Sequence, residues 1–307
     1  MLRYIQLRLL VAVPTVVGLS ILVFLMIHLL PGDAVDVMLT EQGASAAQLT
    51  EMKHQMGLDR PIYVQYWMFA KDALQGNLGR SVFSNQPVTS QILEQLPATM
   101  QLTLAAMIVS LVVGIPLGVF ASIKHGTWVD SFSMAISLVG ATMPSFWIGL
   151  LFIFLFSSRL GWLPASGTAG IKSLIMPSVT LGLYSSAVIA RLTRTSMLEV
   201  FRQDYVVTAR AKGLTERATV LRHALRNALL PVVTVVGLQI SYLLGGAVIT
   251  ETVFARQGIG QLAVGAVLQR DGPLVQGTVL FLAVVFVIAN LLVDISYAVL
   301  DPRIRYR

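Results

Sequence analysis

The run from Gln203 to Thr234, QDYVVTARAKGLTERATVLRHALRNALLPVVT, decides how this chain folds, because it is a charged segment set between long apolar runs. Between Arg191 and Arg226 eight Lys or Arg stand against three acids, so this part lies in water or at a headgroup surface. Read as helix, Met197, Phe201, Tyr205 and Ala209 fall four apart on one stripe, with Leu198 and Val206 beside it. Gly213 then ends the run, since glycine accepts the left-handed conformation that closes many helices. A second helix restarts with Thr215 as N-cap and Glu216 in the positive first turn, its apolar stripe being Leu221, Leu225 and Ala228. The expectation is helix, sharp turn, helix, held down by the apolar stripes and showing basic side chains to whatever lies beyond. The same pattern also describes an amphipathic surface helix that anchors a loop to anionic lipid.

Outward from this segment the chain is apolar. Of its 307 residues 55% are hydrophobic and 12% charged, and the mean hydropathy is +0.75. A soluble domain with a polar skin is excluded, and an integral membrane protein is expected. The basic balance, with a pI near 9.9, is not interleaved with aromatics on a soluble module, so membrane topology accounts for it and no nucleic-acid partner is expected. There is no cysteine, hence no disulfide and no thiolate metal site.

Six stretches are long and apolar enough to span: 9–30, 102–123, 132–156, a marginal 173–190, 228–250 and 276–300. The first ends in Leu30-Pro31-Gly32-Asp33 and has no small-residue cleavage site, so it reads as a transmembrane helix rather than a signal peptide. Residues 34–97 are polar and aromatic and read as a small outer cap of three short helices. The first is capped by Ser45 and Gln48 and closed by Gly57, the second opens at Pro61 and ends at Gly76, and the third runs from Pro87 to Leu96. The expected fold is thus an all-α membrane protein of six transmembrane helices with a small extracytoplasmic helical insert. Its divisions are 1–30, the insert 31–97, and a core 98–307 that carries the charged loop 191–227.

With the N-terminus inside, the inner segments hold 14 Lys or Arg and five acids, and the outer segments eight against nine. The cationic excess is confined to one side, which places both termini and the 191–227 loop in the cytoplasm. Within the spans, Gly114 and Gly118 flank Pro116, Pro144 interrupts the third, and Gly237, Ser241 and Gly245 recur at four-residue spacing in the fifth. Small residues at that spacing serve close helix packing or line a pathway. Asp294 is the one carboxylate well inside a span, and a structural pairing with Arg191, Arg194 or a cytoplasmic backbone site is expected.

No GxxxxGK[ST] run, H-E-x-x-H or G-x-S-x-G is present, and His28, His54, His125 and His223 are scattered. The chain is therefore expected to be no enzyme and to bind no metal or cofactor itself.

The run YVVTARAKGL, Tyr205 to Leu214, followed by RHALRNALLPVVT, resembles the ATPase-coupling loop of bacterial ABC importer permeases of the dipeptide, oligopeptide, nickel and glutathione subfamily. Of that family's general loop signature only Ala209 and Gly213 are kept. Val207 stands where the signature has glutamate, and Leu230-Pro231 lies further from Gly213 than usual; the subfamily's own version reads TARAKGL. The resemblance continues through Gly245–Phe254 (GGAVITETVF), QGIGQL and the C-terminal NLLVDISYAVLDPRIRY. It implies a homologous second permease subunit, two cytoplasmic ATPases holding ATP and Mg, an extracytoplasmic substrate-binding protein, and residence in the bacterial inner membrane. The coupling residues it implies are Asp204, Tyr205, Thr208, Ala209, Arg210, Ala211, Lys212, Gly213 and Leu214. The competing expectation, a secondary transporter driven by an ion gradient, calls for inverted repeats and ionisable groups at the midplane. No repeat is visible. The residues do not say which of the subfamily's solutes is carried.

Overall fold

The computed structural model describes residues 2–29, 59–168 and 170–300, with residues 2–9, 26–29, 294 and 296–300 as backbone only. The expected first cap helix, Ser45 to Gly57, lies outside the described residues. Among the described residues the secondary structure is helical apart from one isolated bridge between Arg80 and Pro87. The chain forms two compact units, Met1–Ala98 with Gln257–Arg307, and Thr99–Arg256.

In the first unit α1 (Leu2–Leu29) lies along α10 (Gly272–Leu300), and α2 (Ile62–Leu74) folds back onto α1. Tyr66 of α2 meets Phe24 edge-on at 5.5 Å, and its hydroxyl is 3.0 Å from Ser20 Oγ. Pro61 does open α2, and Gly76, at φ +79°, follows its end. The third expected cap helix is not separate. Residues 88–96 are the first turns of α3 (Val88–Ile123), a single 36-residue helix that runs on through Pro97. Pro97 removes one backbone hydrogen bond, which a long helix absorbs when its flanking turns are packed. Here they are. Val88 and Ile92 are fully buried against Ile259 and Ala266 of α9 (Ile259–Gln269) and Leu274 and Val275 of α10. A Cβ on Gly277 would lie 2.5 Å from Val88 Cγ1, so α10 and α3 approach more closely there than any other residue permits. Asp271, fully buried, caps α10 by accepting from the Leu274 amide at 3.2 Å and takes a 2.5 Å bond from Ser81 Oγ.

The second unit is a bundle built on α6 (Lys172–Val200). Against it pack the part of α3 from Thr99 onward, α4 (Trp128–Thr142), α5 (Ser145–Phe152, continued as a π-helical turn Ile153–Arg159) and α8. Helix α8 spans Glu216–Val253 and contains a π-helical turn at Thr219–Ala224. Glycine decides how near α3 and α6 come. A Cβ on Gly114 would meet Ser186 O at 2.7 Å, one on Gly118 would overlap Ala190 O, and one on Gly182 would meet Ala106 O at 2.6 Å. Ser110 uses that closeness to donate to Gly182 O at 2.9 Å. Gly114 and Gly118 thus form a packing surface, while Pro116, two residues from each, is exposed on another face of the helix.

The expected stripe on α8 is different. Gly245 meets nothing within 4 Å, whereas Gly246 would press on Leu181 at 2.8 Å, and Gln239 accepts from Ser185 at 2.9 Å. The face of α8 that meets α6 is therefore set by Gln239, Leu243, Gly246 and Ala247, while Ser241 is buried and Gly237 half-buried.

Four described helices are long and apolar enough to cross a membrane, and a fifth crossing is made if the bent pair α4–α5 counts as one. Helix α1 contains a further apolar stretch, Leu10–Leu25.

Candidate functional site

The charged elbow occupies one end of the second unit. Helix α6 stops at Phe201, and the chain turns through Arg202 and Gln203, whose amides bond back to Glu199 and Val200. Helix α7 (Asp204–Ala211) then starts from an extended Gln203, with the Asp204 carboxylate in its positive first turn. This break corrects the continuous stripe expected from the sequence. After the reorientation Val206 and Ala209 are the buried residues of α7, fully and to 93%, and Tyr205 swings to 41% exposure. Its hydroxyl accepts a 2.8 Å bond from Asn227 Nδ2 of α8, so it still ties the elbow to the bundle.

The far end of the elbow closes as the sequence implies. Gly213 sits at φ +83°, and the amides of Gly213 and Leu214 bond to Arg210 O and Ala209 O. Thr215 is an N-cap whose Oγ1 accepts from the Ala218 amide at 3.3 Å. Arg210 folds across the turn, 2.9 Å from Glu216 Oε1 with Nη2 and over the Phe201 ring at 5.5 Å. Val207, Thr208, Ala211 and Lys212 are exposed, and Leu214 is half-exposed. The tip of the turn therefore offers a cation, Lys212, beside an apolar side chain, with the backbone between them stiffened on both sides.

The second stripe is corrected at one position. Ala228 is buried with Val220, Ala224, Met197 and Val119, and Leu225 packs against them, while Leu221 is 51% exposed. The cause is the π turn at Thr219–Ala224, which adds a residue to the helical repeat and rotates the rest of the helix about its axis. No local signal in the sequence marks such a turn.

Beside the elbow lies a group that sequence reasoning missed. Arg194 Nε and Nη2 fork onto Asp130 Oδ1 and Oδ2 at 2.6 and 2.7 Å. The Gly126 amide donates to Oδ2 at 3.1 Å, and His125 Nδ1 lies 3.0 Å from the same oxygen. Arg194, expected as a partner of Asp294, is thus taken by Asp130 in the first turn of α4. Arg191 is exposed. The Asp294 side chain lies outside the described residues. The signal available was Asp130 itself, an acid at the start of a span, but its partner is 64 residues away.

At the other end of the bundle Glu251 and Arg256 are fully buried. Thr99 Oγ1 donates to Glu251 at 2.7 Å, and Arg256 Nη2 donates to Gln101 at 2.9 Å. Burial pushes the Arg256 guanidinium below its ordinary value, and the charge of Glu251 opposes this. No group of three or more His, Asp or Glu suited to a metal occurs among the described residues.

The chain matches two family models: the binding-protein-dependent transport system inner membrane component over residues 114–306, and the N-terminal part of such membrane components over residues 1–103. It is 42% identical to the dipeptide transport system permease protein DppB of Alkalihalophilus pseudofirmus and, equally, to the glutathione transport system permease protein GsiC of Escherichia coli, covering 100% of each chain. Among solved structures it resembles an inward-facing MetNI methionine ABC transporter, with TM-score 0.58 and 21% identity over 69% of this chain and 96% of the other. That likeness concerns the fold. With the family models spanning both units and the elbow, the chain belongs to the binding-protein-dependent inner-membrane transport components, the permease subunits of ABC importers.

Proposed function

We propose that this subunit forms half of the translocation pathway for short peptides, glutathione or a related small solute. It pairs with a homologous second permease, and a binding protein on the outer side delivers the cargo. Two cytoplasmic ATPases, which hold ATP and Mg, drive the cycle through the elbow at residues 203–214. Six spans, counting α1 and the bent α4–α5 pair as one each, carry both termini on the cytoplasmic side, with 31–97 outside. The positive-inside count supports that orientation. The peptide or glutathione reading is supported by the names of the relatives, 42% identical along their whole length.

The observation that carries the mechanism is the stiffness of the elbow. A helix of eight residues is closed by Gly213, capped onward by Thr215, and pinned by Arg210–Glu216 and Asn227–Tyr205. Force applied at Lys212 or Leu214 is transmitted to α6 and α8 rather than absorbed by a floppy loop. A push is then felt in the helices that line the passage, which alternating access requires.

Reconstitution tests this. The complete assembly in proteoliposomes is expected to take up peptide only with ATP inside and binding protein outside, while this chain alone takes up none. Uptake by the lone chain, driven by an ion gradient and indifferent to ATP, would contradict the reading.

A further inference from the structure

The third apolar stretch does not cross straight. Helix α4 ends at Thr142, Met143 and Pro144 are extended, and the next helix leaves at 104°. Pro144 has no N–H to return to the preceding turn, and the first amides of α5, at Ser145 and Phe146, have no carbonyl one turn back. No side chain caps them. Such a break is tolerated at membrane depth only where the freed groups line a cavity or are buried in protein.

A cavity of about 260 Å³ lies at the break, walled by residues 140–145 and by Thr180, Tyr184, Tyr242 and Gly246. Its lining carries no charged side chain. Tyr184 and Tyr242 stack at 4.4 Å between ring centroids and form one wall. Thr180 is 97% buried, yet its Oγ1 has no hydrogen-bond partner. A threonine in a helix ordinarily donates to a carbonyl one turn back, as Thr142 does to Leu138 O at 3.0 Å, so the Thr180 hydroxyl, covered just behind the cavity wall, is a polar group that the packing leaves unsatisfied. Depth agrees. Asp130 and Arg194, in contact, set a common level, and Gly140 and Tyr184 each lie ten residues further along, roughly 15 Å, or half the thickness of a hydrocarbon core.

We propose that this cleft is a passing station on the translocation pathway that recognises the amide groups of the moving solute. The chemistry favours an amide over an ion or an alkane. The break supplies a backbone donor at Ser145 and acceptors at the end of α4. Thr180 and the tyrosines add hydroxyls that both donate and accept, and no fixed charge is present to hold an ion. A peptide bond carries one donor and one acceptor and is uncharged, so it satisfies both kinds of group without being trapped. The flat stacked tyrosine wall accepts side chains of any kind, which suits a cargo whose constant feature is its backbone. This rests on the importer reading above, and the test separates the two.

The chain has no cysteine, so single cysteines can be placed by Thr142→Cys, Ala141→Cys and, outside the cavity, Ile136→Cys. Each is assembled into the complete importer with cysteine-free partners, and modification of this chain by a small water-soluble methanethiosulfonate is followed without ATP. The two cavity positions are expected to label, and 20 mM N-acetylalanine methylamide, which has amides but no charged ends, is expected to slow both by about threefold or more. Equal sucrose should leave them unchanged, and Ile136→Cys should respond to neither. Thr180→Val, which removes the unpaired hydroxyl, should abolish protection at Thr142→Cys while labelling persists. Should Thr180→Val not assemble, Tyr242→Phe makes the same test. Absence of labelling, labelling without protection, or equal protection by sucrose would overturn the proposal. ATP-driven uptake by the unsubstituted assembly is measured in parallel. Its loss strikes the importer reading, whereas the protection result, which needs no ATP, judges the cleft alone.

Discussion

Asp130 draws Arg194 in a two-bond fork and adds the Gly126 amide and His125, so its carboxylate is the knot that fastens the α3–α4 turn to the C-terminal part of α6. With Asp130 94% buried and Arg194 partly exposed, removing the charge leaves a guanidinium without its acceptor. Asp130→Asn is expected to destabilise the detergent-solubilised protein by about 1.5–3 kcal/mol, read from thermal unfolding, and Arg194→Lys by a similar amount because an ammonium cannot fork. The glycines make a sharper contrast. A methyl on Gly118 would overlap the backbone of Ala190, which cannot yield without separating α3 from α6, whereas one on Gly245 meets nothing within 4 Å. Gly118→Ala should therefore cost about 1–3 kcal/mol and lower assembled yield, while Gly245→Ala leaves folding of the chain within about 0.5 kcal/mol.

The elbow is the element on which the mechanism turns, and its two ends make different predictions. Gly213, at φ +83°, occupies a conformation in which a Cβ costs about 1–2 kcal/mol. Gly213→Val is expected to leave the bundle folded but to lower transport per ATP hydrolysed at least fivefold, with Gly213→Asn closer to the original, as measured by parallel uptake and phosphate release. The Arg210–Glu216 pair is 41% and 65% exposed, so a double-mutant cycle on stability should find less than about 1 kcal/mol between the two. If Arg210→Ala nonetheless abolishes coupled transport, its role is at a partner surface. Much of this element is legible in the residues: Gly213 as a stop, Thr215 as a cap and the charged face all come from local chemistry. The exposure of Leu221 does not, because it depends on a π turn that changes the helical repeat. Nor does the turn at Phe201–Gln203, which exposes Tyr205 where periodicity alone would bury it. Pro144 announces a break, but the 104° turn that opens a cavity there depends on how α5 packs against α6 and α8.

At the scale of the whole molecule, the apolar stretches are readable from composition because the bilayer constrains every span in the same way. Long-range pairs are not: Asp130 with Arg194, Thr99 with Glu251 and Gln101 with Arg256 join residues distant in sequence, and only the folded bundle brings them together. The buried Glu251 illustrates the consequence. Glu251→Leu takes the acceptor from the buried Thr99 hydroxyl and removes the negative charge near Arg256, already short of partners at Nε and Nη1, and a loss of about 1–3 kcal/mol is expected in chemical unfolding. In the proposed cycle the subunit as a whole is a converter: its sequence holds no nucleotide-site motif, and transport depends on motion received at the elbow. Crosslinking tests that claim most directly. With Leu214→Cys in this otherwise cysteine-free chain, assembled in native membranes with its partners, a short bifunctional thiol reagent should join it to a nucleotide-hydrolysing subunit, with a yield that changes between ATP-bound and nucleotide-free states. A cysteine there that reacts only with impermeant reagent from outside the cell, or never reaches an ATPase in an assembly active for transport, would contradict the account.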